Sequence, residues 1–181
     1  MIWITIAVVL LLTAFRNMSL RRRFAQQRTK TAEMAGVLRE GVLTRQMIAG
    51  LSKRPGAIRG VVTDWGRPGG LATMVAIDDG SVSLYLNPGG GIIGVGTKPN
   101  VAAAATQLLA EAERVRDKFT VQTSFPAPAK DSAVFYLLTD DATLASPAIE
   151  WDTTRDSSSP LGALNETAQE LLTQIRKTSP Q

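Results

Sequence analysis

The residues whose types and spacing come nearest to a chemical site lie in one stretch, Gly89 to Lys98, which reads GGGIIGVGTK. Gly89, Gly91 and Gly94 fit the G-x-G-x-x-G pattern, in which glycines let backbone amides close on a pyrophosphate. Gly91 to Lys98 also approaches a phosphate-binding loop, with Gly96 in the tract and Lys98 as charge partner, although such a loop places Lys before Ser or Thr. Three features weigh against a nucleotide site. The helix expected after the tract starts several residues beyond Gly94, so its N-terminus would not sit on a phosphate. The strands before the tract read as a hairpin meander and not as a parallel βαβ unit. Pro99 removes an N–H from the helix start. The plain alternative is a glycine-rich bend where another backbone passes closely.

Other candidates are thinner. Asp78-Asp79 and Asp140-Asp141 could hold magnesium or act as an acid–base pair, but each sits where a turn is expected, and Asp favours turns for its own backbone bonding. Trp65 and Arg67, at a strand end, could form an interaction surface, since both types are enriched at binding hot spots; Trp65 could equally close the core. The serines at 157–159 have no base implied nearby. The chain of 181 residues contains no His and no Cys. Thiol catalysis, Cys-ligated zinc and iron–sulfur clusters are thereby excluded, and so is the His-dependent triad. No catalytic residue, metal ligand or cofactor is assigned, and the reading is against an enzyme.

Charge is unevenly placed. Residues 1–60 carry 11 Lys and Arg against two Glu, a net of +9, and the remainder carries a net of −5. Met1 to Phe15 is uncharged and lacks Pro and Gly, and Arg16, Arg21, Arg22 and Arg23 follow. A span needs about 20 apolar residues, which Met1 to Leu20 approaches if Arg16 snorkels. We therefore expect a single transmembrane helix over residues 1–20, held in lipid, with the four arginines at the membrane surface and the C-terminal domain in the cytoplasm. A cleaved signal peptide and a buried core helix are the competing readings. Nucleic acid is not the expected partner of the arginines, which have only Phe24 for stacking.

Positioning elements follow from periodicity. A basic juxtamembrane arm and helix should occupy residues 21–56, with helix over Thr29 to Ser52, stopped by Lys53-Arg54-Pro55-Gly56. An α+β domain should fill residues 57–178. In it, Ile58–Trp65, Leu71–Ile77 and Ser81–Asn87 read as an antiparallel meander with one face buried and the other more polar. Val101, Ala105, Leu108, Ala112, Val115 and Phe119 form a helical stripe. Ala133–Leu138 is apolar on both faces and reads as a central strand, with one more short strand expected from residues 143–145 and 148–151. Ser159 and Pro160 open a last helix, lined by Leu161, Leu164, Ala168, Leu171 and Ile175.

The expectation is an antiparallel sheet of four to five strands flanked by two or three helices behind the membrane span. Its order is loosely similar to the profilin-like and roadblock folds, a resemblance of topology that covers about residues 30–177 and rests on no motif. The function expected is that of a membrane-anchored binding or adaptor protein, with a protein partner or self-association. The alternative is a nucleotide- or phosphate-ligand domain using Gly89, Gly91, Gly94, Gly96 and Lys98.

Overall fold

The computed structural model describes residues 30–150 and 159–178. Helix α1 covers 30–43. Ala35, Val42 and Leu43 recur on its inner side and are buried. It stops well before Ser52 because Arg45 turns left-handed, at φ 65°. The amide of Gln46 then returns to the carbonyl of Gly41 at 2.9 Å and that of Arg45 to Val42 at 2.8 Å. This is the bonding of a helix C-cap, made here without the usual glycine. The Arg45 guanidinium is held by the carbonyl of Asp140 at 2.6 Å.

Eight strands follow: β1 Gly60–Arg67, β2 Gly70–Ile77, β3 Val82–Asn87, β4 Gly91–Ile93, β5 Thr120–Gln122, β6 Ser132–Leu138, β7 Thr143–Ala145 and β8 Ile149–Glu150. They form one antiparallel sheet in the order β4-β3-β2-β1-β6-β7-β5, with β8 on β6 beside β7. The turns between β1, β2 and β3 use Gly69 and Gly80, at φ 78° and 90°, which is why Gly stands there. Helix α2, Pro99–Arg114, and helix α3, Pro160–Lys177, pack together on one face. The Ser159 hydroxyl accepts the Gly162 amide at 3.0 Å, a cap worth about 1 kcal/mol. The stripes expected for α2 and α3 face the sheet: Val101, Leu108, Leu164, Leu171 and Ile175 are fully buried beneath Val61, Phe135 and Leu137.

The opposite face corrects the expected polar side of the meander. Helix α1 and the loop after it lie over Val62, Val75, Ile77, Tyr85, Tyr136 and Leu138, through Val42, Leu43, Ile48, Leu38 and Leu51. The sheet is thus the middle of three layers. It is also larger than the four to five strands expected. The additional pairing comes from three-residue strands, β4 inside the glycine tract and β5 after α2, too short to show an alternation, and from the last expected short strand, which is two, β7 and β8.

The single-pass membrane expectation is corrected as well. Among the described residues no helix is long and apolar enough to cross a membrane. The segment Met1–Leu20 and the arginines 16, 21, 22 and 23, on which that expectation rested, lie outside the described residues. A single-pass topology with a cytoplasmic domain is therefore not supported.

Candidate functional site

The glycine tract folds back on the sheet. Gly89 and Gly90, at φ 82° and 104°, reverse the chain so that the Leu86 amide reaches the Gly90 carbonyl at 3.0 Å. Gly91 opens β4, where a Cβ would lie 2.6 Å from the Leu84 carbonyl oxygen. Gly94 is left-handed, and its amide donates to Val82 at 3.1 Å. At Gly96 a Cβ would come within 1.7 Å of the Gly80 carbonyl oxygen. Close backbone approach accounts for Gly91 and Gly96, and positive φ for Gly89 and Gly94. The tract ends in a 3-10 turn, Val95–Thr97, that delivers Lys98 to the cap of α2.

Lys98 borders a cleft of about 420 Å³ between the start of α2 and the end of α3. Its other lining residues are Pro99, Asn100, Val101, Gln174, Lys177 and Thr178. No side chain caps α2, and its first turn holds no acidic residue. The positive end of the helix dipole, Lys98 and Lys177 therefore border a lining that holds no carboxylate among the described residues. The negative end of α3 offsets part of that field. Of the five residues expected to bind a ligand, Lys98 lines the cleft and Gly89, Gly91, Gly94 and Gly96 do not.

Trp65 and Arg67 part company. Trp65 is 1% exposed and packed beneath α2 and α3, and among the described residues neither its Nε1 nor the buried Thr63 hydroxyl on the same strand face has a hydrogen-bond partner. Arg67, two residues on, is exposed.

The buried charges form two clips that sequence reasoning missed. In the first, Arg39 on α1 places Nε and Nη2 each 2.7 Å from Asp64 Oδ2, and Nη2 also donates to the Phe125 carbonyl at 2.9 Å. The Thr73 hydroxyl donates to the other Asp64 oxygen at 2.5 Å. Asp64 is 0% exposed. Burial raises its pKa above the ordinary value, and the Arg39 charge opposes but does not cancel that shift. Tyr136 nearby is pushed up to about 12, by burial first and the Asp64 charge second.

In the second clip, the buried Arg59 donates to Asp78 from Nε at 2.8 Å and to Asp140 from Nη1 at 2.6 Å. Arg54 adds a bond to Asp78 at 2.9 Å, and its amide donates to Asp140 at 2.6 Å. The hydrogen bond to Asp78 is the main reason the Arg59 pKa is raised. Burial alone would raise the Asp140 pKa, but the Arg54 amide and Arg59 outweigh it and hold the carboxyl below its ordinary value.

The two Asp-Asp turns therefore do meet, around a guanidinium. Among the described residues no group of three or more His, Cys, Asp or Glu is disposed to hold a metal ion. Part of the charge asymmetry is internal: Arg39, Arg45, Arg54 and Arg59 from the basic end bond to groups of the acidic part. One signal of the covering layer was present, since Val62, Val75, Ile77 and Tyr85 put more apolar surface on the second face than water would tolerate.

Comparison with known proteins gives no relative: no family model, no curated protein and no solved structure matches the chain.

Proposed function

We propose that this chain is a non-catalytic binding module that works by holding a protein partner. What supports the reading is the use made of the buried ionisable groups. Arg39 and Asp64 are spent joining α1 to the sheet, Arg59, Asp78 and Asp140 join strand ends to one another and to Arg54 of the loop after α1, and none of them lines the cleft. Such networks specify one arrangement of layers. They leave the outer side of α1 open, with Met34 and Val37 exposed. The test is photo-crosslinking in cells from a panel of exposed positions, Val37 on α1, Val121 on β5 and Thr173 on α3. A discrete adduct with one identified protein, from some positions and not others, is the expected result. Absence of any adduct across the panel would refute the module.

A second reading is favoured by Lys98 and Lys177. Their cleft would take an anionic ligand such as a phosphate group. Thermal melts with inorganic pyrophosphate and nucleotides test it, because a ligand at about 100 times its Kd adds roughly 2.7 kcal/mol to the folded state. The expected shift disappears in Lys98→Ala. A flat panel on a cooperatively melting chain removes this reading.

A further inference from the structure

One rim of the sheet ends in the glycine tract. Strand β4, Gly91–Ile93, is the last on its side and pairs only with β3. In an antiparallel ladder the bonds between strands fall on alternate residues. Here they fall at Gly90, whose carbonyl accepts from the Leu86 amide, and at Gly94, whose amide donates to the Val82 carbonyl, and so at Ile92 between them. The N–H and C=O of Gly91 and of Ile93 therefore point away from β3, and among the described residues nothing bonds to them. Ile92 packs against the core under α2 and α3, which sends the Ile93 side chain to the other face. There it is 66% exposed. Open edges are normally guarded by charge, Lys above all. This one is not, since no Asp, Glu, Lys or Arg occurs from Gly80 to Thr97.

We infer that this edge pairs with the same edge of a second copy of the chain, antiparallel about Ile92. A row of outward backbone donors and acceptors takes an extended strand, and β4 complements itself. With Ile92 opposite Ile92, Gly91 of each copy faces Ile93 of the other, and each outward N–H meets an outward C=O. The exposed Ile93 side chain then lies over Gly91 of the other copy, where no side chain competes for the space. Both halves of the contact are the same, as a two-fold axis requires. With no charge on either edge, identical copies have nothing to repel each other. The contact is short, below the roughly 1,200 Å² at which stable complexes begin, so the dimer is transient and its population rises with concentration. Self-pairing here neither requires nor excludes the protein partner proposed above.

Sedimentation velocity of the purified full chain over a wide concentration range should show a monomer–dimer equilibrium. Ile93→Lys supplies the missing edge charge at an exposed position and should raise the dimer Kd by at least about tenfold. Long side chains reach diagonally across a strand pair, so mixing Ile93→Lys chains with Ile93→Glu chains should restore an association that neither shows alone. The chain has no Cys, so Ile92→Cys carries a single thiol, placed on the two-fold axis. Directly opposed residues of such a non-hydrogen-bonded pair have Cα atoms about 4.5 Å apart, within disulfide reach, and mild oxidation should give a covalent dimer. Val121→Cys is the control, 63% exposed on β5 at the other rim, and should crosslink more slowly although its thiol is more accessible. Circular dichroism checks that each variant is folded. The pairing is overturned by a chain that is monomeric throughout, by a dimer that Ile93→Lys leaves intact, by a Lys and Glu mixture that stays monomeric, or by crosslinking through Val121→Cys and not Ile92→Cys.

Discussion

Replacing Arg39 by Met should cost the fold about 3–5 kcal/mol at neutral pH, the usual penalty for breaking a buried ion pair by removing one partner. The structure accounts for the size. Met keeps much of the apolar stem, so what goes is the guanidinium, with its contacts to Asp64 Oδ2 at 2.7 Å and to the Phe125 carbonyl at 2.9 Å. Asp64 stays wholly buried with one remaining partner, the Thr73 hydroxyl. A carboxylate so placed has an escape, which is to take up a proton. Its folded pKa already lies above the ordinary value because of burial, so its ionisation opposes folding. The stability linked to this group is greatest below the unfolded pKa and is lost as pH rises through the folded one. Removing Arg39 raises the folded pKa further. The damage should therefore be largest near pH 7 and shrink toward pH 4, by up to about 1.4 kcal/mol per pH unit between the parent's folded pKa and the variant's higher one. Urea unfolding of the full chain and of Arg39→Met across that range reads this directly. The double variant Arg39→Met with Asp64→Asn should recover much of the loss at pH 7. A loss below about 1 kcal/mol at pH 7, or one that does not change with pH, would refute the assignment of Asp64 as an ion held by Arg39.

Three other outcomes are expected. Thr63→Val removes a buried hydroxyl that has no partner among the described residues while keeping its shape, and should stabilise the chain by about 1 kcal/mol in urea titrations. The Asp140 carboxyl, held below its ordinary pKa by the Arg54 amide and Arg59 against the effect of burial, contributes stability above the carboxylate range and loses it as pH falls; Asp140→Asn should be less stable at pH 7 and show a shallower acid limb. Two glycines should respond oppositely to alanine. Gly36→Ala should add about 0.5–1 kcal/mol, since the added methyl meets nothing, and Gly96→Ala should cost about 1–3 kcal/mol, since its Cβ would press on the Gly80 carbonyl; calorimetric midpoints distinguish the two.

What could be read from residue order was whatever a local period records. The stripe from Val101 to Phe119 and the pair Ser159-Pro160 place α2 and α3, because a helix buried on one face must repeat near 3.6 residues. The unbroken apolar run Ala133–Leu138 places β6 between neighbours on both faces. The strands of the meander are legible for the same reason, but not their second cover. Asp64 and Thr73 alternate with apolar residues as if they faced water, but Arg39 of α1 reaches Asp64, which in turn accepts from Thr73, and both are buried. The pairing of Arg39 with Asp64 spans 25 residues and that of Arg59 with Asp140 spans 81, and nothing local records either. At the candidate site, Lys98 was found through its glycine tract, but for a loop geometry the tract does not have. Lys177 joins it from the other end of the domain, and no motif links the two.

The covering layer also sets an order of events in making the molecule. Helix α1 leaves the ribosome early, yet the carbonyl of Leu43 is bound by the Thr143 hydroxyl, 100 residues later. At about 5–20 residues per second, the apolar inner side of α1 waits roughly 5–20 s for the last of the strands that will receive it. Long-range closure of this kind also slows folding in free solution, because loop entropy is lost before the contacts form. Through that interval Val42, Leu43 and Ile48 are open to any apolar surface nearby. The nascent chain is the form most exposed to chaperones, and a burden of variants that slow the sheet would appear first as lost yield rather than as a lower melting point.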